Sequence, residues 1–226
     1  MQEKLVEKSV SDLENLLIQS QVANCDNLIA LFTPRYEADP QNLDLAKNIV
    51  KMMTVTEGCT DNNLFLNAVT VMYNQEPSHT SAYYLYKLYA GRNDVEKAIA
   101  YMDEAVNYEE SDNATDASYL YELATFCIKN GNNAKAVEAA NKAIEISDLV
   151  DGKAYMLLGT IWGSVVCQGN EIEQRAKYWV ATDYMQKAKN ADPALTEDCN
   201  NYINQFRVYY PQTAEAFMYD ITNGQS

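Results

Sequence analysis

Carboxylates are plentiful in this 226-residue sequence, but it contains only one histidine. The single histidine, His79, precedes Thr80 and Ser81 at an expected helix start, so we interpret it as a polar connector residue. A general base needs a nucleophile within reach, and neither a Gly-x-Ser-x-Gly elbow nor the signature of a nucleophilic cysteine is present. One histidine cannot form a histidine-rich metal site. We therefore expect no catalytic residue and no metal site.

Paired carboxylates are the other candidates for acid–base chemistry, which requires that burial raise one of the two pKa values. Glu109 with Glu110, and Glu171 with Glu173, stand near expected helix ends among polar residues. We interpret both pairs as parts of a solvated face. The sequence contains no glycine-rich phosphate loop, H-E-x-x-H pair or calcium loop. It therefore predicts no cofactor and a protein that is not an enzyme.

The five cysteines are dispersed and include no C-x-x-C pair, which excludes a zinc knuckle and a dithiol redox motif. Cysteine is among the most often buried residue types, so we expect buried free thiols. An odd count also argues against a fully paired disulfide framework. The residues are Cys25, Cys59, Cys127, Cys167 and Cys199.

Charge and composition narrow the class of protein and of partner. Asp and Glu total 32 against 17 Lys and Arg, which gives a formal net charge of −15. Nucleic acid and anionic membrane surfaces would be repelled, so we expect neutral or basic partners. A hydrophobic content of 47%, with only 8 Gly and 5 Pro, favours an all-α fold with a substantial core.

A pattern of two helices recurs along the chain. The first-helix copies are Ala82-x-x-Leu85-Tyr86-x-x-Tyr89, Leu120-x-x-Leu123-Ala124-x-x-Cys127 and Tyr155-x-x-Leu158-Gly159-x-x-Trp162. Second-helix series follow at identical spacing: Ala98, Met102, Ala105; Ala136, Ala140, Ala143; Ala181, Met185, Ala188. The first two leucines are 38 residues apart and the next two 35, close to a 34-residue repeat. We expect Gly91 and Gly131 to close first helices in left-handed conformations.

These motifs resemble the tetratricopeptide-repeat (TPR) superfamily, clearly over about residues 80–195 and in degenerate form over about 3–79. The resemblance implies an all-α, right-handed superhelical solenoid of antiparallel helix pairs, forming a single domain over residues 1–226. We expect pairs near 3–39, 42–76, 79–110, 115–148 and 152–191, and capping helices near 195–209 and 212–222. The resemblance also implies a non-catalytic scaffold whose concave groove, lined by first helices, holds a peptide or a partner protein.

The predicted groove is aromatic and neutral. Its positions read Val50 and Thr54, then Tyr83 and Lys87, Tyr121 and Thr125, and Met156 and Thr160. One TPR subgroup binds the C-terminal carboxylate of chaperones through Lys, Asn and Arg. Among the groove positions of this sequence only Lys87 could pair with a carboxylate, so we do not predict this mode of binding. We therefore predict partner binding by the last six of these residues, with the partner unknown. The alternative is a structural spacer within a larger or envelope-associated protein.

The compartment stays open at the level of sequence. The first twenty residues lack an apolar core, so Met1 does not begin a signal peptide, and no run reaches the length of a membrane span. The segment from Gly159 through Tyr178-Trp179 to Asp192-Pro193, with Tyr209-Tyr210-Pro211 and Asn223-Gly224-Gln225-Ser226, resembles bacterial TPR proteins that are often exported. That resemblance implies export, with the signal absent from this chain.

The last repeat carries an insertion. Trp162 and Ala181 are 19 positions apart, whereas the equivalent residues of the two earlier repeats are 9 positions apart. We expect residues 163–172 to form an exposed projection or an extended helix tip. The apolar run Val165, Val166 and Cys167 then either packs on the capping helices or forms a patch for a partner.

Overall fold

The computed structural model describes residues 24–109 and 111–211 together with Met218. Within these ranges the regular structure is helical and no strand occurs. Short 3-10 turns cover Asp148–Val150 and Pro193–Leu195. The α-helices are α1 (Cys25–Ala38), α2 (Leu43–Thr54), α3 (Asn63–Gln75), α4 (His79–Gly91), α5 (Val95–Ala105), α6 (Asn113–Lys129), α7 (Asn133–Ile146), α8 (Asp151–Ser164), α9 (Glu171–Ala191) and α10 (Thr196–Arg207).

The predicted helix pairs are confirmed wherever the chain is described. Helices α2 and α3, α4 and α5, α6 and α7, and α8 and α9 each pack against each other, and α10 packs on α9 as a capping helix. Helix α1 is the second helix of the predicted first pair. The first helix of that pair and the capping helix near 212–222 lie outside the described residues.

Side-chain caps set most helix starts, because the first N–H groups of a helix need acceptors. Asp94 and Asn132 accept from backbone N–H groups at the starts of α5 and α7. Gly131 closes α6 with a φ of +75°, as predicted. Helix α4 ends at Gly91, also as predicted, but the left-handed residue after it is Asn93, at φ +58°. Asparagine tolerates this conformation better than other residues with a Cβ.

The chain divides into two compact units, residues 1–110 and 111–226. In the first unit, Phe65, Ile49 and Met53 are fully buried in a core built by α1 to α4. In the second, the fully buried side chains include Leu123 and Leu158, as the repeat pattern predicts. Each unit thus has its own apolar core. A single domain over residues 1–226 remains a prediction.

A disulfide joins Cys25 and Cys59, 34 residues apart in sequence. The expectation that all five cysteines are free thiols was therefore wrong for this pair. Cys127 and Cys199 are free and buried, as expected, and Cys167 is free and half-buried. Pairing of Cys25 with Cys59 depends on how α1 packs on the segment after α2, which no local motif reveals.

The insertion lengthens α9 and adds a short loop. Helix α8 ends at Ser164, residues 165–170 form the loop, and α9 runs for 21 residues against 14 in α7. The loop is held to α9 by Lys177, whose Nζ donates to the Val165 carbonyl at 2.7 Å. Val166 is 87% exposed. Ile172 is buried, so the prediction that residues 163–172 lie outside the core was wrong for that residue.

Candidate binding surfaces

Four of the six predicted groove residues lie on neighbouring first helices of the second unit. Tyr121 and Thr125 are on α6, Met156 and Thr160 are on α8, and these two helices contact each other. A spacing of four residues places each pair on one face of its helix. All four residues are half-buried. Their side chains carry aromatic, thioether and hydroxyl groups, and none of the four is charged.

The two threonines of this surface face their own helix backbones. Thr125 Oγ1 donates to the Tyr121 carbonyl at 3.0 Å, and Thr160 Oγ1 donates to the Leu157 carbonyl at 2.7 Å. Their hydroxyl protons are therefore engaged within the helices. What these threonines offer a partner is their methyl groups and oxygen lone pairs, so contacts of Tyr121 and Met156 would dominate binding.

The other two predicted residues, Tyr83 and Lys87, lie on α4 in the first unit. Lys87 is exposed, and its Nζ stands 5.9 Å from the centroid of the Tyr83 ring. The Tyr83 ring also contacts Tyr86, at 5.9 Å between centroids. Lys87 is thus a surface cation beside an aromatic face, a weak pairing in water. Val50, expected on the groove, is only 2% exposed and belongs to the core.

An aromatic surface at the end of the second unit was not among the predicted sites. Tyr178 on α9 stacks on Tyr209 at 4.9 Å and contacts Phe206 at 5.9 Å. Tyr209 is 54% exposed and Val208 is 76% exposed. The signal in the sequence is the run Val208-Tyr209-Tyr210 directly after α10. Exposed aromatic and aliphatic groups in such a cluster are common at protein interfaces.

Tyr73, whose pKa is strongly shifted, has a structural role. Tyr73 on α3 donates to Glu104 on α5 at 2.6 and 2.7 Å, and Tyr108 donates to the same carboxylate at 3.0 Å. Burial, followed by the Glu104 carboxylate, holds the pKa of Tyr73 well above its usual range. The Tyr73 phenol therefore stays protonated at neutral pH. This cluster ties α3 to α5.

The candidate acid–base residues lie at helix starts or between helices. His79 is the first residue of α4, as predicted, and its Nε2 lies 3.4 Å from Thr80 Oγ1. Glu171 and Glu173 are exposed at the start of α9, where Glu173 accepts from the Asn170 backbone N–H at 2.7 Å in a capping box. That bond gives Glu173 a helix-capping function. Glu109 is exposed.

A cleft of about 320 Å³ lies between α1 and the start of α3 in the first unit. Ile29, Tyr36 and Glu37 line it from α1, and Leu64 and Asn67 line it from α3. Burial raises the pKa of Tyr36 above its usual range. The lining combines apolar side chains with amide and hydroxyl groups and one carboxylate. No sequence motif marks the cleft, because its two walls come from helices that are separate in sequence.

In the described part of the chain, no group of three or more His, Cys, Asp or Glu side chains is placed to hold a metal ion. None of the described helices combines the length and the apolar character needed to cross a bilayer.

Comparison with known proteins supports the fold. No protein-family model and no curated protein matches the chain. Among solved structures, the crystal structure of MamA, a TPR-like protein, is similar to it with a TM-score of 0.57 and 20% sequence identity. The match covers 76% of this chain and 91% of the MamA chain. Together with the packed helix pairs, this establishes a TPR-like helical-repeat fold.

Proposed function

We propose that this protein is a non-catalytic scaffold that holds a peptide or partner protein on the first-helix faces of its repeats. One observation carries the proposal: in the second unit, the neighbouring first helices α6 and α8 carry the large uncharged side chains of Tyr121 and Met156, both half-buried. Aromatic side chains and Met are both enriched at protein interfaces. The formal charge of −15 favours partners that are neutral or basic.

The direct test is site-specific photo-crosslinking. A photoreactive phenylalanine analogue replaces Tyr121 in one protein and Tyr184, on the second helix α9, in a control protein. Both are incubated with an extract of the native host. A partner that crosslinks at position 121 and not at position 184 is expected.

Binding of the identified partner is then measured with purified protein. Tyr121→Ala is expected to weaken it at least fivefold, as a truncated aromatic contact at an interface does. The matched control Tyr184→Ala is expected to leave it unchanged. Tyr83→Ala tests the first unit in the same way. Equal affinities of the wild type, Tyr83→Ala and Tyr121→Ala would refute binding on the first-helix faces and leave the spacer as the better hypothesis.

A further inference from the structure

The disulfide ties the first described helix to a segment without regular structure. Cys25 is the first residue of α1 and is half-buried, whereas Cys59 is fully buried in the segment between α2 and α3. The two residues are 34 positions apart. A covalent bond of this kind fixes where the start of α1 sits on the core of the first unit.

Among the described residues, helix α1 contacts the core through few side chains. Leu28 and Phe32 of its 14 residues are fully buried, Cys25, Ile29 and Tyr36 are partly buried against the core, and Pro34 lies inside the helix. A proline within a helix removes one backbone hydrogen bond. By contrast, α3 buries five of its 13 residues: Leu64, Phe65, Ala68, Val69 and Val71. The position of α1 therefore depends on the disulfide far more than that of α3 depends on any single bond.

The other end of the disulfide is connected to the start of α3. Asn62 donates from Nδ2 to the Cys59 carbonyl at 2.7 Å, and its Oδ1 accepts from the Phe65 N–H to cap α3. Gly58, just before Cys59, has a φ of +71°, which holds the segment in a tight turn. Both walls of the cleft, α1 and the start of α3, thus meet at this disulfide.

We propose that the Cys25–Cys59 disulfide is a redox clasp that holds α1 on the first unit, and that the protein works in an oxidising compartment. When the clasp is oxidised, α1 is docked and the cleft between α1 and α3 is formed. When it is reduced, α1 leaves the core and the cleft opens, while the second unit stays folded. This inference rests on the disulfide and the packing of α1, and it does not depend on the proposed partner binding.

Reduction of the disulfide begins at Cys25. A dithiol reductant attacks through one thiolate at Cys25 Sγ, because Cys59 is sealed in the core. The Cys25–Cys59 bond breaks, and the Cys59 sulfur leaves as a thiolate and takes up a proton. The second thiol of the reductant then displaces Cys25, which leaves as a thiol, and the reductant becomes a disulfide. Two electrons pass from the dithiol to the clasp.

The first experiment counts thiols. Protein folded in an oxidising glutathione buffer is denatured and treated with N-ethylmaleimide, and its mass is measured. Three adducts are expected without a reductant, corresponding to the free cysteines Cys127, Cys167 and Cys199. Five are expected after reduction, one for each cysteine of the chain. Five adducts without a reductant would overturn the inference.

The second experiment measures amide hydrogen exchange in the folded protein. Reduction of the wild type with a phosphine is expected to speed exchange at least tenfold across residues 26–37, with no change in α6 to α9. Cys25→Ala is expected to give the same pattern without reductant, and Cys167→Ser, which leaves the clasp intact, is expected to behave as the oxidised wild type. Unchanged exchange in α1 after confirmed reduction would overturn the clasp.

Discussion

Helix α8 packs so closely on α9 that an added methyl group at Gly152 has no room. A Cβ at this position would lie 2.4 Å from Asp192 Cβ, 3.2 Å from the Asp192 backbone nitrogen and 3.3 Å from the Ala188 carbonyl oxygen. Carbon atoms in contact prefer about 3.5–4.0 Å, so the two elements must separate by more than about 1 Å. The atoms opposite Gly152 belong to backbone or are attached directly to it, so no side-chain rotation relieves the overlap.

Two opposing effects set the stability of Gly152→Ala. Overpacking of a close contact destabilises a protein by about 1–3 kcal/mol, whereas replacing Gly by Ala in a helix stabilises it by at most about 1 kcal/mol. Gly152→Ala is therefore expected to lower the free energy of unfolding by about 1–2 kcal/mol. Gly159→Ala is expected to cost less, because its closest neighbour, at 2.8 Å, is the mobile methyl group of Met185.

The control is the same substitution at a position with open space. No atom lies within 4 Å of a Cβ built at Gly91, the last residue of α4. Gly91→Ala is expected to stabilise the protein by up to about 1 kcal/mol. Urea unfolding followed by circular dichroism compares all variants, and fluorescence of Trp162 and Trp179 reports on α8 and α9. A Gly152→Ala protein as stable as Gly91→Ala would refute the close packing of α8 on α9.

Three further perturbations test the cores, an ionisable group and the disulfide. Leu123→Ala, fully buried, is expected to cost about 2–5 kcal/mol in urea unfolding, whereas Leu149→Ala, 63% exposed, is expected to stay within about 0.5 kcal/mol. Equal losses of stability in the two variants would show that Leu123 is not a core position and that the repeat register is wrong. Burial raises the pKa of Asp151, so the folded protein binds the carboxyl proton more tightly than the unfolded chain does. Proton binding at Asp151 therefore stabilises the folded state at low pH. This stabilisation is lost as the pH rises through the pKa of the folded state. The difference in melting temperature, Asp151→Asn minus wild type, is therefore expected to increase between about pH 3 and about pH 7. A difference that does not change with pH would contradict the raised pKa of Asp151. Cys25→Ala is expected to destabilise the first unit by about 4 kcal/mol, the chain-entropy value for a 34-residue separation, measured by urea unfolding against the oxidised wild type. A loss below about 1 kcal/mol would show that the bond adds little to stability.

The helix pairs could be predicted because their signals are local. Apolar and small residues at spacings of three and four place Leu123 and Leu158 in the core, and Asp94 and Asn132 mark helix starts. These features depend on residues within one or two turns of each other. For that reason even the degenerate pair α2 and α3 lies within its expected range of 42–76.

The features that the sequence did not predict depend on contacts between distant segments. The cleft needs α1 and α3 side by side, and the stack of Tyr178 on Tyr209 needs the chain after α10 to return to α9. The buried Ile172 lies in an insertion whose extra residues lengthen a helix as well as forming a loop. The binding roles of Tyr83, Lys87, Tyr121, Thr125, Met156 and Thr160 remain predictions.

Each unit has its own apolar core, but the α8–α9 pair and helix α1 are held in place by different means. In the second unit, Gly152 and Gly159 let α8 approach α9 closely, so dispersion contacts along the helix pair hold it together. In the first unit the repeat motifs are degenerate, and α1 buries only Leu28 and Phe32. A helix with so small an apolar contact is marginal by packing alone. The disulfide at its first residue adds a restraint on the unfolded chain, so the proposed clasp would hold α1 in place where thiols are oxidised.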